Sequence, residues 1–216
     1  MQQKRMGAVF EGQDIGGRWT ASEASRHINI LELEAASFTL RSFGDMLTGA
    51  HIQLHIDNTT AVAYINSMGG SKSPELNCLA FKMWDWSIMG DNWISTVHLA
   101  GKLNVRADAQ SRNFSDKHEW TLNSSVFEDI LSQYPELNID LFATRLNHKL
   151  PTYCSWKPDP GCSYIDAFSI NWGTHKFYAF PPFSLITQCQ QKISHDRAEG
   201  ILVEAKLDGV STLRNS

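Results

Sequence analysis

The sequence has few charged residues, few cysteines and no long apolar run. Charged residues make up 19% of the 216 residues against 42% hydrophobic residues, which is the composition of a folded chain rather than a disordered one. The formal net charge of -4 argues against a general nucleic-acid-binding protein, because such proteins usually carry a clear basic excess. Any contact with a polyanion is therefore expected to be local or mediated by cations.

The four cysteines are widely spaced along the chain, at Cys78, Cys154, Cys162 and Cys189. Their spacing contains no CxxC motif of a zinc site, and it does not resemble a compact disulfide framework. No apolar run is long enough to cross a bilayer, and the first ten residues, MQQKRMGAVF, lack the apolar core of a signal peptide. These absences predict reduced thiols and an intracellular protein, in the cytoplasm or the nucleus, with no membrane partner.

The apolar residues recur with strand and helix periods in alternation, which predicts a mixed α/β fold with helices packed on a sheet. The predicted elements are, in order, a hairpin over 7–12 and 16–20, a helix over 27–43, a strand ending at 57, a helix to about 67, a helix over 75–90, a strand over 93–100 and a short helix over 104–112. Thr20 and Glu23 have the spacing of a capping box, which predicts that a helical turn begins there.

A polar stretch, NFSDKHE, separates this unit from a second and different one. The second unit has a predicted helix over 122–135, a predicted strand over 138–143 and an aromatic, proline-rich run. The expected organisation is therefore a domain over 1–112, a linker over 113–119, a second domain over 120–204 and a tail over 205–216. The tail is polar and has no helix caps, so it is predicted to be disordered.

Three acidic residues of the first domain stand at informative positions. Asp57 ends a strand just before a helix, Glu32 lies on the long helix beside two alanines, and Asp108 lies in the short helix. Each has a plain structural alternative. Asp57 would serve as a helix cap, and Glu32 and Asp108 would serve as solvated surface residues, with Glu34 competing for the position of Glu32. A shared function requires that the three carboxylates meet in space.

The motifs around these residues resemble the ribonuclease H domain of reverse-transcribing elements. ILELEAA matches the family's Glu-Leu-x-Ala helix and selects Glu32 over Glu34, IDNTTAVAYIN places Asp57 at a strand end, and NVRADAQSR places Asp108 in the family's last acidic helix. The sequence over nearly all of 7–204 is most similar to the DIRS-like retroelements, which mobilise with a tyrosine recombinase. The resemblance implies a ribonuclease H-like mixed sheet with flanking helices, and an upstream reverse transcriptase domain in a parent polyprotein.

The resemblance also implies a reaction, the Mg²⁺-dependent hydrolysis of the RNA strand of RNA–DNA hybrids. Glu32, Asp57 and Asp108 would be metal ligands and catalytic residues around two Mg²⁺ ions about 4 Å apart. His98 matches the position of a mobile histidine near the leaving group, and a strand histidine satisfied by hydrogen bonds is the alternative. Flanking residues are expected to contact nucleic acid, although a solvated face is the alternative for the basic ones; they are Asn58, Thr59, Lys102, Asn104, Arg106 and Arg112.

One family residue has no counterpart in the sequence. The family's first aspartate, on its first strand, would fall at or just ahead of Met1, and MQQKR supplies no acid there. The first strand is therefore expected to be truncated, and the polypeptide as written is predicted to have little or no nuclease activity. The alternative function is a catalytically inactive nucleic-acid or protein interaction module left from a retroelement.

The second domain resembles the adenine-methyltransferase-like region that follows ribonuclease H in the same retroelements. Such enzymes use an Asn/Asp-Pro-Pro-aromatic loop, whose polar side chain accepts a hydrogen bond from the target amine and whose ring stacks on a flipped base. The matching loop here is Phe180, Pro181, Pro182 and Phe183, and Phe180 cannot accept that bond. A smaller, degenerate α/β methyltransferase-like domain is predicted, which binds nucleic acid by stacking. Asp140 and Asp166 are either remnants of cofactor contacts or structural turn residues.

Overall fold

A computed structural model divides the chain into two compact units, Met1–Phe114 and Ser115–Ser216. The structure describes residues 5–100, 121–206 and 209–214. Both units combine helices with small sheets, so the predicted mixed α/β class is confirmed. The division between the units falls inside the predicted linker, 113–119.

Among its described residues, the first unit contains helices and two separate two-stranded sheets. In chain order its elements are β1 (Arg5–Phe10), β2 (Gln13–Arg18), α1 (Ala21–Ala24), α2 (Ile28–Ser42), a 3₁₀ turn (Gly44–Met46), β3 (His51–Ile56), α3 (Thr59–Asn66), α4 (Pro74–Met89) and β4 (Trp93–His98). β1 and β2 form an antiparallel hairpin, with Phe10 opposite Gln13. β3 and β4 pair in parallel, with Ile56 opposite His98.

Capping side chains define where the helices of the first unit begin. The predicted capping box is confirmed, since the Thr20 amide donates to Glu23 over 2.7 Å and the Glu23 amide donates to Thr20 Oγ1 over 3.2 Å. Ser73 caps α4 through the amide of Leu76, and proline occupies the first position of that helix. Such caps satisfy backbone donors that have no partner inside the helix.

The core of the first unit lies where α2, α3 and α4 pack against the strands. Its fully buried side chains include Leu33, Leu40, Ile65 and Ile94. Each buried aliphatic side chain of this size stabilises the fold by about 1.5–3 kcal/mol relative to an exposed one. The indole of Trp84 in this region is satisfied, because its N–H donates to the carbonyl of Ile65 over 2.9 Å.

The second unit is built on a four-stranded sheet in the order β10-β9-β8-β5. The strands β5, β8 and β9 are parallel, and β10 is antiparallel to β9. The elements are α5 (Ser124–Gln133), β5 (Ile139–Asp140), β6 (Cys154–Ser155), β7 (Tyr164–Ile165), β8 (Lys176–Ala179), α6 (Ile186–Asp196), β9 (Glu199–Lys206) and β10 (Gly209–Arg214), with 3₁₀ turns at Ala167–Ser169, Trp172–Thr174 and Phe183–Leu185.

The structure differs from the disordered tail predicted over 205–216. β9 extends to Lys206, and β10 pairs with it antiparallel, with Val210 opposite Ala205. Pairing supplies the backbone hydrogen bonds of this polar segment. Composition alone does not predict such pairing, because the pairing depends on a neighbouring strand.

Two apolar clusters form the core of the second unit. One surrounds Trp172 and Phe177 and contains Cys154 and Cys189, both fully buried free thiols. Burial raises the pKa of each of these two thiols to about 12. The other cluster surrounds Tyr178. In the described ranges no helix combines the length and the apolar content that a membrane span requires.

Candidate metal and nucleic-acid site

A groove of about 690 Å³ lies between β1 and β3 in the first unit. One wall is Gly7–Glu11, at the end of β1 and its turn, and the opposite wall is Ala50–Asp57, which includes all of β3. The helix α2 provides the third side through Glu32, Ala35, Ala36, Thr39 and Leu40, together with Phe43 just beyond its end. The groove is therefore bordered by two strands and lined by one helix.

Contacts with α2 show that the two walls run in opposite directions. The ring of Phe10, at the end of β1, lies 5.1 Å from the ring of Phe43, just beyond the end of α2. By contrast, the residue that follows β3 by two positions, Asn58, donates from Nδ2 to Asn29 Oδ1 over 3.0 Å, at the start of α2. β1 thus runs along α2, and β3 runs against it.

Two of the predicted metal ligands lie at the same end of this groove. Asp57 follows β3 directly and is next to Asn58, which is bonded to the first turn of α2. Glu32 is three residues after Asn29, on the same face of the helix. Both carboxylates line the groove, and both side chains are half-buried. The helix α2 and the end of β3 therefore place two acidic side chains on the same groove.

The structure gives the helix-capping role to Asn58 and not to Asp57. Asn58 Oδ1 accepts from the amide of Ala61 over 2.9 Å, which is the capping bond of α3. Its Nδ2 is the donor to Asn29 described above. The structural alternative for Asp57 is therefore replaced by its neighbour, while the amide of Asn58, a predicted nucleic-acid contact, is engaged inside the protein.

Glu34, the competitor of Glu32, belongs to a different network. Its carboxylate forms an ion pair with Arg26, which also binds Glu75, at the start of α4. The hydrogen bond to Glu75 raises the pKa of Arg26, as does the hydrogen bond to Glu34, against the opposing effect of burial. Glu34 thus ties two helices together, whereas Glu32 faces the groove.

His98 and Thr59 lie near the acidic end of the groove, and both are exposed. His98 ends β4 opposite Ile56, and the amide of Leu99 donates to the Ile56 carbonyl over 2.9 Å. Because β3 and β4 are parallel, their carboxyl ends meet at one edge, which brings His98 alongside the end of β3, where Asp57 follows. Thr59 is the first residue of α3.

The remaining predicted site residues lie outside the described residues. They are Asp108, Lys102, Asn104, Arg106 and Arg112. Within the ranges that the structure describes, no group of three or more histidine, cysteine or acidic side chains has the arrangement of a metal site. The structure therefore brings Glu32 and Asp57 together, and the arrival of Asp108 stays a prediction.

The predicted base-stacking loop of the second unit buries its beginning and exposes its end. Phe180 is half-buried against the cluster around Tyr178, and Pro181 is buried. Pro182 is exposed, and Phe183 is 80% exposed at the start of a 3₁₀ turn. The ring of Phe183 is thus presented to solvent.

Asp140 and Asp166 act as structural residues in the second unit. Asp140 is 2% exposed and accepts from the Lys149 amide over 2.9 Å, and burial raises its pKa to about 6. Asp166 caps the turn at Ala167–Ser169 by accepting from the Phe168 amide over 3.0 Å. These contacts fit the structural alternative for both residues.

Several groove residues were not anticipated from the sequence. His51 and His55 line the groove on the exposed positions of β3, and Glu11 lies at the turn of the hairpin. The alternation of polar and apolar residues along β3 is a sequence pattern that could have identified the two histidines. Asn29 has no such signal, because its partner Asn58 lies far along the chain.

Comparisons of this chain with known protein families, with curated proteins and with solved structures find no match.

Proposed function

We propose that the first unit is a ribonuclease H-type domain of DIRS-like retroelement origin, which binds Mg²⁺ and RNA–DNA hybrids and acts on the RNA strand. The observation that carries the proposal is that Glu32 and Asp57, far apart in the sequence, lie at one end of one groove. The motifs around them supply the class of reaction. The upstream reverse transcriptase domain and the retroelement ribonuclease H fold are parts of the same proposal.

The chemistry of the two carboxylates suits magnesium. Mg²⁺ prefers oxygen ligands and keeps several of its waters, so one or two carboxylates are enough to hold one ion. When bound, the metal supplies an activated water and stabilises the leaving oxygen. Glu32 and Asp57 hold the ion in this proposal, Asp108 is the third ligand, and His98 lies near the leaving oxygen at the neighbouring strand end. Lys102, Arg106 and Arg112 contact the backbone phosphates.

We expect binding to exceed catalysis in this polypeptide. The proposed ligands Glu32, Asp57 and Asp108 are three carboxylates for two ions, so we expect the second ion to be held weakly. Slow hydrolysis is therefore the expected behaviour. The alternative function is an inactive module that still binds nucleic acid.

A magnesium titration tests the site. Mg²⁺ is expected to raise the thermal unfolding midpoint by a few degrees, because a ligand that binds only the folded state stabilises it. Glu32→Gln and Asp57→Asn are each expected to abolish the rise. Glu34→Gln is the matched control, since Glu34 pairs with Arg26 and not with the groove, and its magnesium response should be retained. An unchanged response in both groove variants would refute the site.

Cleavage of a labelled RNA–DNA hybrid tests the reaction itself. Slow, Mg²⁺-dependent loss of the RNA strand, absent in Asp57→Asn, is the expected result. Fast cleavage that Asp57→Asn abolishes would overturn the expectation of weak activity. Hybrid binding without cleavage at any Mg²⁺ concentration would establish the alternative, an inactive binding module.

We also propose that the second unit is a degenerate methyltransferase-like domain that stacks bases on Phe183. An exposed aromatic ring contributes about 1–3 kcal/mol for each stacked base. Phe183→Ala is therefore expected to weaken binding of a single-stranded oligonucleotide about fivefold or more, and Phe183→Leu, which keeps the apolar contact, should weaken it nearly as much. Saturable binding of S-adenosylmethionine would contradict the degenerate assignment.

A further inference from the structure

We propose that Trp156 and Lys157 form a second base-stacking position for single-stranded nucleic acid, at the carboxyl edge of the second unit's sheet. This position extends the stacking proposed for Phe183, and the inference rests on that proposed function. One single strand places a base on each of the two rings and a phosphate at Lys157.

The pairing of the strands puts Trp156 and Phe183 on the same edge of the sheet. Asp140 of β5 pairs in parallel with Tyr178 of β8 and, through an isolated bridge, with Tyr153 just before β6. Because these segments are parallel, their carboxyl ends meet at one edge. Trp156 directly follows β6, and Phe183 lies beyond the end of β8. Both aromatic side chains therefore extend the chain on the same side.

The spacing between the two strand ends suits a short stretch of single strand. Since β5 lies between β6 and β8, their ends are two strand spacings apart, which is about 10 Å. Proteins that bind single strands stack successive bases on separate aromatic side chains along such an edge. A few linked nucleotides can therefore contact both positions at once.

Trp156 presents an aromatic surface that has a positive charge beside it. The side chain is 54% exposed, although tryptophan is a highly buried residue on average. The ammonium of Lys157 lies 4.5 Å from the centroid of the Trp156 ring, within the range of a cation–π contact. A ring that stacks a base, next to a cation that meets a phosphate, is the combination that binds single-stranded nucleic acid without sequence preference.

The acidic residues nearest to this position are engaged in hydrogen bonds of the fold. Asp166 follows β7 on the same edge, and its carboxylate accepts from the Phe168 amide over 3.0 Å. Asp159 is buried and accepts from the Tyr153 hydroxyl over 3.3 Å. These two carboxylates thus stabilise turns of the second unit, and Lys157 provides the charge at the ring.

Fluorine NMR of the full chain, labelled with fluorotryptophan, tests the position directly. The chain has seven tryptophans, and the signal that is lost in Trp156→Phe or in Trp156→Tyr is that of Trp156. The probe is hexathymidylate in buffer with a chelator, so that no metal contributes to binding. The Trp156 signal is expected to shift saturably, whereas the signal of the fully buried Trp172 should not move. A hexamer of abasic nucleotides keeps the phosphates, and it should leave the Trp156 signal in place.

Substitutions separate stacking from charge. Trp156→Ala is expected to weaken hexathymidylate binding about fivefold or more, and Trp156→Phe, which keeps a ring, should weaken it less. Lys157→Gln should reduce the slope of log affinity against log salt by about 0.7, the share of one phosphate contact, and Lys157→Arg should restore the slope. Lys176→Gln is the matched control and should leave the slope unchanged, because Lys176 begins β8 at the opposite edge and pairs with Glu199.

Phe183→Ala distinguishes this inference from the proposed function on which it rests. If Phe183→Ala weakens binding and the Trp156 signal of the parent does not shift, the second position is wrong and stacking on Phe183 stands. If the Trp156 signal shifts and Phe183→Ala binds like the parent, stacking on Phe183 is wrong and the position at Trp156 stands.

Three further results would overturn the proposal. They are an equal shift with the abasic hexamer, an unchanged salt slope in a folded Lys157→Gln variant, and a shift with S-adenosylmethionine but none with hexathymidylate. The last result would assign the ring to a nucleoside cofactor instead. The comparison of the two hexamers uses the parent chain, so it decides the question even where a variant fails to fold.

Discussion

The two residues that follow β3, Asp57 and Asn58, have different roles. This difference decides which of the two side chains is available to the candidate site. Asn58 caps α3 and bonds to Asn29, and Asp57 lines the groove. Because the cap is supplied by Asn58, the carboxylate of Asp57 is not used to begin the helix. A residue that is not needed for local structure is available for binding.

Substitution at Asn58 tests this division. Asn58→Ala loses the cap and the bond to Asn29, so we expect a loss of about 1–2 kcal/mol in the free energy of unfolding. Asn58→Asp keeps an acceptor for the Ala61 amide and loses only the donor to Asn29, so its loss should be smaller. Chemical denaturation measures both. An alanine variant as stable as the parent would show that the cap contributes nothing.

Asp140 predicts a pH dependence in the second unit. Burial raises its pKa to about 6 in the folded protein, above the ordinary value near 4, while His148 and Lys149 oppose the shift. The folded state therefore holds the proton more tightly than the unfolded chain. Its stabilising contribution is present below about pH 4 and is lost as pH rises toward 6, by roughly 3 kcal/mol in all.

Asp140→Asn carries no titrating carboxyl, so it is expected to remove this loss. The measurement is the free energy of unfolding of both proteins between pH 4 and 7. Asp129→Asn, at an exposed position of α5, is the control and should leave the parent's pH profile unchanged. Parallel profiles for the parent and Asp140→Asn would contradict the raised pKa.

Single residues at the site were only partly predictable from the sequence. Aspartate and asparagine are both strong N-caps, so no local pattern decides between Asp57 and Asn58. The choice of Glu32 over Glu34 came from the family motif, and the structure adds that the two side chains serve different networks. The hydrogen bond between Asn29 and Asn58 joins distant segments, and neither segment has a sequence pattern that predicts it.

Long periodic elements were predicted well, and short or polar ones were not. The predicted helix over 27–43 is Ile28–Ser42, and that over 75–90 is Pro74–Met89. In contrast, strands of two residues such as β6 and β7 are too short to show a period. The helix α6 was missed because it is mostly polar and buries only Cys189 and Ile193.

The hairpin of β1 and β2 was predicted, but the pairing of β3 with β4 was beyond the sequence. Alternating patterns predict strands and imply a sheet, but they do not state which edges meet. The described strands form two pairs, β1 with β2 and β3 with β4, on either side of a groove. Pairing between distant segments depends on what fills the space between them.

A tight contact between β8 and β9 gives a prediction for an element. A Cβ added at Gly200 would lie 2.3 Å from the carbonyl oxygen of Phe177, which is backbone and cannot move aside alone. Gly200→Ala is expected to cost about 3 kcal/mol. At Gly17 the nearest atom is the flexible end of Met6, at 3.1 Å, so Gly17→Ala should cost less than about 1 kcal/mol. Equal costs in denaturation experiments would contradict the packing of β9.

At the scale of the whole molecule, each unit has an apolar core of its own. The clusters of the first unit draw on residues from Met6 to Ile94, and those of the second on residues from Leu122 to Val203. No cluster among the described residues mixes the two sets. Separate cores are the usual basis for independent folding.

A fragment of residues 115–216 is therefore expected to fold alone. It should give a cooperative denaturant transition and a near-UV circular dichroism signal from its buried aromatic rings, chiefly Trp172. The matched fragment is 1–114. A second-unit fragment with helical signal but no cooperative transition would show that its core needs the rest of the chain.

The two buried thiols of the second unit allow its opening to be followed by chemical modification. Cys154 and Cys189 are 0% exposed with pKa values near 12, so almost no thiolate meets a reagent at neutral pH while the core is closed. Cys78, on the exposed face of α4, is modified at once. The delay before the two slow thiols react with the reagent, followed by mass spectrometry, then measures how often the second unit opens in the intact protein.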